Sequence, residues 1–399
     1  MSALRTVATA IGGFSLSGGA IAKLDRVSGP RPLMIAYWGR RGLSQFTFEL
    51  SAAALSRAEP RVTFSLSSAN ESLPRFAPLG ERLCVVDTFR SNWAPIVALP
   101  RLVRLRRRLL QRFAVDGTRA FVSLMPHIWS PLVAPVIRSA GVRHIVVMHD
   151  AEPHPGDRTG LATGWLAREA HQCDHVIALS RFVAERLAEL RGLPRDKVSP
   201  LFHPEFTFDQ APGQAPMMRR APAGPLRLLF IGRLLGYKGF GIFMDAIELL
   251  LRSGRRIEIG VFGSGNLATY ERRLAAIGAE VDNRWIDDRE FSGILARHDL
   301  VVLSHTEASQ SGVVAAAHGA GLPVVITPVG GLIEQVVPDL TGVVARSATA
   351  EAVAAAIARL LDEPALLARL YQGVAETHQQ RSMAHFLDRL IEIALPDPR

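Results

Sequence analysis

The chain has almost no lysine, only two cysteines and no long apolar run, and each scarcity narrows what it can be. Lys23, Lys197 and Lys238 are the only lysines among 46 cationic residues. Arginine is therefore the default cation here, and a lysine in a glycine-rich turn, such as Lys238, carries more information than an arginine would. Cys84 and Cys173 show neither metal-ligand nor disulfide-framework spacing, which favours a reducing compartment and speaks against a zinc module. No apolar run reaches the roughly 18 residues of a membrane span. Residues 7–21 are apolar but are interrupted by Gly12, Gly13, Gly18 and Gly19, so residues 1–30 read as a tail outside the fold.

What is present is the composition of a globular protein, with 48% hydrophobic and 21% charged residues. A chain of 399 residues predicts two domains. The charge is uneven: residues 1–225 carry 29 Lys+Arg against 17 Asp+Glu, and residues 226–399 carry 17 against 20. The first half thus carries +12 and the second −3, so the net +9 comes wholly from the first. By charge alone it suits an anionic partner such as a membrane surface, a lipid-linked phosphate or nucleic acid, although a dispersed excess also serves solubility.

Short apolar runs alternate with helical patterns along both halves. In the first, strands are predicted at Leu33–Trp38, Val62–Leu66, Leu83–Asp87, Ala120–Met125, His144–Met148 and His175–Leu179. Helices fit at Phe46–Leu55, Ala98–Phe113, Ser130–Ser139 and Arg181–Leu190, the last with Ser180 as its N-cap. Prolines 204, 212, 216, 222 and 225 mark residues 206–225 as a linker. Beyond it, strands are predicted at Leu226–Ile231, Ile257–Phe262, Leu300–Ser304 and Val324–Thr327. The helices between them are Phe240–Leu251, Tyr270–Ile277, Phe291–Ala296, Val313–Ala320 and Ala350–Leu361. Such alternation predicts an α/β protein of two doubly wound parallel sheets facing across a cleft, with ligands at the carboxyl ends of the strands. The domains expected are 31–205 and 226–375, with a helix in 376–399 crossing back onto the first.

Several glycine-rich turns fall where a strand meets a helix. In Gly232-Arg233-Leu234-Leu235-Gly236-Tyr237-Lys238-Gly239, close backbone approach and two cations offer a diphosphate site; an ordinary loop with two solvated cations has the same local pattern. Gly263-Ser264-Gly265 follows the next strand, but Ala268 occupies the third glycine position of a dinucleotide fingerprint. After Leu300–Ser304 come Glu307 and then Ser311, Gly312 and Val313 at a helix start, a second anion-binding point. Gly330-Gly331 forms another turn, with Glu334 beyond it. In the first half, Gly39-Arg40-Arg41-Gly42 follows a strand. The loop from His149 to Asp157 collects His149, Asp150 and His154; metal binding by His149, Asp150, His154 and Asp157 lacks a companion Cys/His set, and a polar site loop or a solvated turn are the other readings. Helix 98–113 is basic and amphipathic, fitting either an anionic membrane surface or an ordinary surface helix with its arginines in water.

Taken in order, Gly232-Arg233-Leu234, Lys238-Gly239, Gly263-Ser264-Gly265, Glu307 to Gly312, Gly321-Leu322-Pro323-Val324-Val325, Gly330-Gly331 with Glu334, and Thr341-Gly342 resemble the retaining, nucleotide-sugar-dependent glycosyltransferases of family 4. Gly39–Gln45, His149-Asp150 and Ser180-Arg181-Phe182 resemble that family's acceptor domain more loosely. The resemblance implies a GT-B fold of two Rossmann-like domains and a transferase acting on a polysaccharide, oligosaccharide or lipid-linked acceptor. It implies that Arg233 and Lys238 hold the donor diphosphate, that Glu307 meets the transferred sugar and that His149 lines the reaction centre. Gly232, Gly263, Ser264, Gly265, Ser311, Gly312, Val313, Gly330, Gly331 and Glu334 would serve the donor; Gly39, Arg40, Arg41, Gly42, Asp150 and His154 would serve the acceptor. No metal and no cofactor are expected, because the cations stabilise the departing diphosphate, and transfer proceeds on the front face with retention. Nucleic acid has no role in this scheme, and a cytoplasmic protein is expected, peripheral on the inner face of the membrane. One departure stands out. The family's second glutamate, which binds the nucleotide ribose, would fall at Ala315, flanked by Val314 and Ala316. The alternative from another class is an inactive binding module on the same fold, associated with a membrane or an enzyme complex.

Overall fold

A computed structural model describes residues 32–88, 99–152, 160–208, 219, 222 and 224–396. Two all-parallel sheets organise them. The first contains β1 (Leu33–Tyr37), β2 (Val62–Ser67), β3 (Leu83–Val86), β4 (Ala120–Ser123), β5 (Arg143–Met148), β6 (His175–Ala178) and β7 (Val198–Pro200), in the order β3-β2-β1-β4-β5-β6-β7. The second contains β8 (Leu226–Ile231), β9 (Ile257–Phe262), β10 (Glu280–Asp282), β11 (Leu300–Leu303), β12 (Val324–Ile326) and β13 (Gly342–Val344), in the order β10-β9-β8-β11-β12-β13. Each sheet reverses its winding at one point, between β1 and β4 and between β8 and β11, and the loops that leave those strands bracket the crevice where ligands of such sheets bind.

The apolar runs become strands because helices cover both faces of a parallel sheet, so strand side chains in the middle are mostly apolar; in β2 the buried Thr63, Ser65 and Ser67 are hydrogen-bonding exceptions. β1, β2 and β11 are buried along their whole length. The strand Glu280–Asp282 escaped the sequence reading for the same reason: it sits at a sheet edge, exposed or half-buried, and has no apolar run to announce it. The helix Gly160–Gln172 was also unforeseen; glycines at 160 and 164 dilute its pattern.

The Leu99–Asp116 helix buries Leu102, Leu105, Leu109 and Phe113 against Met34, Phe121 and Val133, while Arg104, Arg107 and Arg108 are exposed. Its apolar seam is therefore spent on the core of the first domain. The C-terminal segment folds as two helices, Pro364–Arg381 and Met383–Ala394, parted at Ser382, whose hydroxyl accepts the N–H of His385 at 3.2 Å. The first of these packs into the second domain through Leu366, Leu370 and Tyr371. The second buries Met383, Phe386, Leu387 and Leu390 among Leu33, Ile35, Phe46 and Val122 of the first domain. The chain thus crosses back at Ser382, where an extended residue ends one helix and caps the next.

The linker is anchored at both ends that the structure describes. Glu49, on the Ser44–Leu55 helix, accepts the N–H groups of Thr207 at 2.9 Å and Phe208 at 3.0 Å. Arg219 donates to the carbonyls of His298, Leu295 and Ala320 on the second domain. Beneath the crossing, Glu205 is buried with its carboxylate 2.6 Å from His378 Nδ1 and 3.9 Å from His318 Nδ1.

Candidate active site

A cavity of about 330 Å³ lies between the two sheets, walled by the loops that leave β1, β8 and β11 at the winding reversals. Its second-domain wall contains Gly232, Arg233, Tyr237, Lys238 and His305, then Gln310, Ser311, Gly312 and Val313. Gly42, Gln45 and Asp150 come from the first domain, and the linker adds Phe206 and Phe208.

Lys238 ends the short 3-10 turn Gly236–Lys238, one residue before Gly239 opens the next helix. Its ammonium lies 2.8 Å from His305 Nε2 and 5.0 Å from the centre of the Tyr237 ring. An ammonium only donates, so Nε2 accepts and the imidazole carries its proton on Nδ1. His305 is itself fixed: it is buried, and its carbonyl accepts the Thr327 hydroxyl at 2.6 Å. The lysine is thereby placed at the cavity wall by a neutral acceptor and a ring face. Arg233 is exposed at the same wall.

Ser311 caps the Gly312–Gly319 helix, its hydroxyl accepting the N–H of Val313 at 3.3 Å. Gln335 fixes the cap from behind: its side-chain oxygen accepts the Ser311 N–H at 2.6 Å and its amide donates to the Ser311 carbonyl at 3.0 Å. A helix N-terminus with its backbone held in this way presents fixed N–H dipoles and the positive end of the macrodipole to the cavity. Neither His305 nor Gln335 was singled out from sequence. A histidine beside a lysine in space, 67 residues apart in the chain, leaves no local pattern.

On the first-domain side, His149 Nε2 lies 3.0 Å from the Leu124 carbonyl and must donate to it. Its ring meets Phe46 edge-on at 6.1 Å, and burial holds its pKa below the ordinary histidine value, against the opposing pull of Asp150. His149 is thus a neutral group behind the cavity wall, and Asp150 is the residue of the pair that lines it. Gln45 donates to Glu49 at 2.7 Å and accepts from Arg75 at 3.0 Å, so its amide is fixed on both atoms.

Not every residue expected at the site reaches this cavity. Glu307 is exposed and outside its lining, where Gln310 stands instead. Arg40 and Arg41 both pair with Glu71, and of their turn only Gly42 lines the cavity; Gly39 packs on the Tyr37 ring. Gly263, Ser264 and Gly265 lie behind the wall: a Cβ on Gly263 would stand 1.8 Å from the Gly232 carbonyl oxygen, so this turn supports the β8 turn from beneath. Gly330, Gly331 and Glu334 form a joint between the domains. The Glu334 carboxylate accepts the N–H groups of Arg181 and Phe182, each at 2.8 Å, and the Ser180 hydroxyl donates to the Ser309 carbonyl at 3.0 Å. His154 and Asp157 lie outside the described residues. Among the described residues no group of three or more His, Cys, Asp or Glu is placed to hold a metal ion, and no helix is long and apolar enough to cross a membrane.

Two nucleotide-type parallel sheets with a cationic, helix-capped cavity at their winding reversals define the GT-B class of fold. Residues 41–201 match the family model "Glycosyltransferase Family 4", and residues 225–363 match "Glycosyl transferases group 1". The two matches follow one another in chain order and together span three-quarters of the sequence; the chain belongs to these glycosyltransferases. Among curated relatives, a glycogen synthase of Mycobacterium tuberculosis is 30% identical over 227 residues, covering 54% of each chain. A D-inositol 3-phosphate glycosyltransferase of Acidothermus cellulolyticus is 30% identical over 275 residues, 63% of this chain and 58% of the relative. The chain thus spans little more than half the length of these curated relatives. The fold is shared with Anabaena HepE in its complex with UDP-glucose, at a TM-score of 0.67 and 15% identity over 92% of this chain and 100% of that one. A glycosyltransferase of Rickettsia africae aligns at a TM-score of 0.66 and 14% identity, with the same coverage.

Proposed function

We propose that the protein transfers a sugar from a nucleoside-diphosphate donor to a polysaccharide, oligosaccharide or lipid-linked acceptor, with retention at the anomeric carbon and without a metal ion. The observation that carries this is the wall on which Lys238, Arg233 and the capped start of the Gly312–Gly319 helix meet. As the glycosidic bond to the donor phosphate breaks, negative charge grows on the leaving diphosphate. A cation pre-positioned by His305 and N–H dipoles pre-positioned by Gln335 meet that charge without having to reorganise. The neutral His149 and the Asp150 carboxylate bound the acceptor side, where the incoming hydroxyl would lie.

The experiment is nucleoside-diphosphate release from a panel of nucleotide-sugars. Lys238→Ala is expected to lower turnover by about 100-fold or more, as for other electrostatic catalytic groups. Glu307→Ala measures whether the exposed glutamate reaches the sugar. Unchanged turnover in both variants, or a wild-type protein that turns over none of the panel, would sink the assignment; a rate abolished by EDTA would remove its metal-free form.

The lipid-linked acceptor is favoured by the outer face of the Leu99–Asp116 helix, where exposed Arg104, Arg107 and Arg108 accompany exposed Val103 and Leu110. This face would lie on an anionic membrane, each cation near such a surface adding roughly 1 kcal/mol, with the protein on its cytoplasmic side.

A further inference from the structure

The wall of the cavity built by the linker and the Asp288–Ala296 helix has no part in the scheme above. Phe208 stands in the left-handed region, at φ 50°, which side-chain-bearing residues seldom adopt. It is kept there by Glu49, whose buried carboxylate takes its N–H and both the N–H and hydroxyl of Thr207. The ring so placed stacks on Phe291, with centroids 5.6 Å apart and planes 18° from parallel. Asp288 lies one helical turn before Phe291, on the same helix face, and both line the cavity together with Phe208. Among the described residues the Asp288 carboxylate accepts no hydrogen bond and forms no ion pair, although burial raises its pKa against the pull of Arg75. In the same lining, the Gly312–Gly319 helix contributes Ala316, and the carbonyl of Ala315 is occupied by the Phe206 N–H at 3.2 Å. No carboxylate therefore comes from that helix.

We propose that Asp288 receives the vicinal hydroxyls of the donor ribose, with the Phe208–Phe291 pair as the flat apolar wall beside the nucleoside; this rests on the nucleotide-sugar reading of the site. A partly desolvated carboxylate without a donor accepts two hydroxyls well, because it has two oxygens and charge-assisted hydrogen bonds are the stronger kind. Stacked rings three residues on offer the face that a sugar edge or base requires. Asp288 thus supplies from a different helix of the same cavity the acid that position 315 lacks.

The test is calorimetric binding of UDP, GDP and ADP, of their 2′-deoxy counterparts and of pyrophosphate. The wild-type protein is expected to bind the ribonucleotide it prefers about 10-fold or more tightly than its deoxy form. Asp288→Ala, and equally Asp288→Asn, should erase that preference and leave pyrophosphate affinity within about 2-fold, far below the loss expected for a charge-assisted bond. Phe208→Leu should weaken all three nucleotides and spare pyrophosphate. If the Asp288 variants still prefer ribose, or if they lose a preference among bases instead, the assignment to the ribose is wrong while the nucleotide-sugar site stands. If the wild-type protein binds none of the nucleotides, both readings fall together.

Discussion

The turns after β8 and β1 occupy equivalent places at the winding reversals of their sheets, but they are held by different means. After β8, Gly239 has a φ of 67° and would put a Cβ 1.8 Å from the Ser304 carbonyl oxygen; backbone lies directly on backbone there. The β9 turn supports it in the same manner through Gly263. After β1, the glycines face side chains. Gly39 lies over the Tyr37 ring, a Cβ on Gly42 would meet only the Tyr37 hydroxyl, at 3.9 Å, and the flanking Arg40 and Arg41 reach an exposed glutamate, Glu71. Tyr37 is buried, its hydroxyl accepts the Leu43 N–H at 3.2 Å, and burial pushes its pKa up to about 12. The contrast fits the division of labour proposed for the two domains. A site for a diphosphate, common to all donors of the class, gains from backbone that cannot yield, whereas an acceptor site gains from a turn whose side chains can be exchanged without moving the chain.

The largest expected effect tests that contrast directly. Gly239→Ala should cost about 4 kcal/mol or leave no folded protein, because backbone must separate from backbone. Gly42→Ala, with a φ of 83° and room for the methyl group, should cost about 1 kcal/mol. Urea denaturation of both variants decides it, and equal losses would break the comparison.

Acidification comes next and acts on the seam between the halves. Burial holds the pKa of His203 at about 4 and that of His318 at about 3, whereas both titrate near 6.5 in the unfolded chain. Below that pH the unfolded state binds more protons than the folded one. Each histidine then removes up to about 1.4 kcal/mol of stability per pH unit as the pH falls toward its folded pKa. Glu49 and Glu205 are raised by burial and act in the opposite sense, costing stability as the pH rises above 4.5. We expect a net loss of stability between pH 7 and 5, followed by denaturant titration at each pH. A flat profile in that window would mean that the two pairs cancel, and His203→Gln would then expose the carboxylate contribution.

Smaller still is the joint at Glu334. Replacing it with alanine removes two backbone caps from the Arg181–Arg191 helix and should cost about 1 kcal/mol. Nucleotide affinity should be preserved, since Glu334 does not line the cavity. A loss of nucleotide binding without a loss of stability would return Glu334 to the donor site. Last, Arg104→Ala with Arg107→Ala should change stability by less than about 0.5 kcal/mol. The same pair should weaken sedimentation with vesicles containing phosphatidylglycerol; equal sedimentation would remove the membrane face.

The sequence by itself determined the central strands of both sheets and the glycine-rich, cationic wall of the cavity. Strands buried on both faces are mostly apolar, and a strand-to-helix turn that brings backbone N–H groups close to an anion favours glycine; both tendencies are local and can be read along the chain. Arg233, Lys238, Ser311 and Gly312 were legible for that reason. The tertiary structure alone decided which of the remaining polar residues face the cavity. Glu334 and Gly330-Gly331 have the sequence of a ligand turn and are used to join domains. Gln335, His305 and Glu49 have no motif and hold the cap, the lysine and the linker. Asp288 reads as an ordinary first-turn acid of a helix until Phe208, 80 residues earlier, is seen stacked beside it. Burial and partnership are properties of distance in space, and a folded chain sets those distances through packing that no short stretch of sequence contains.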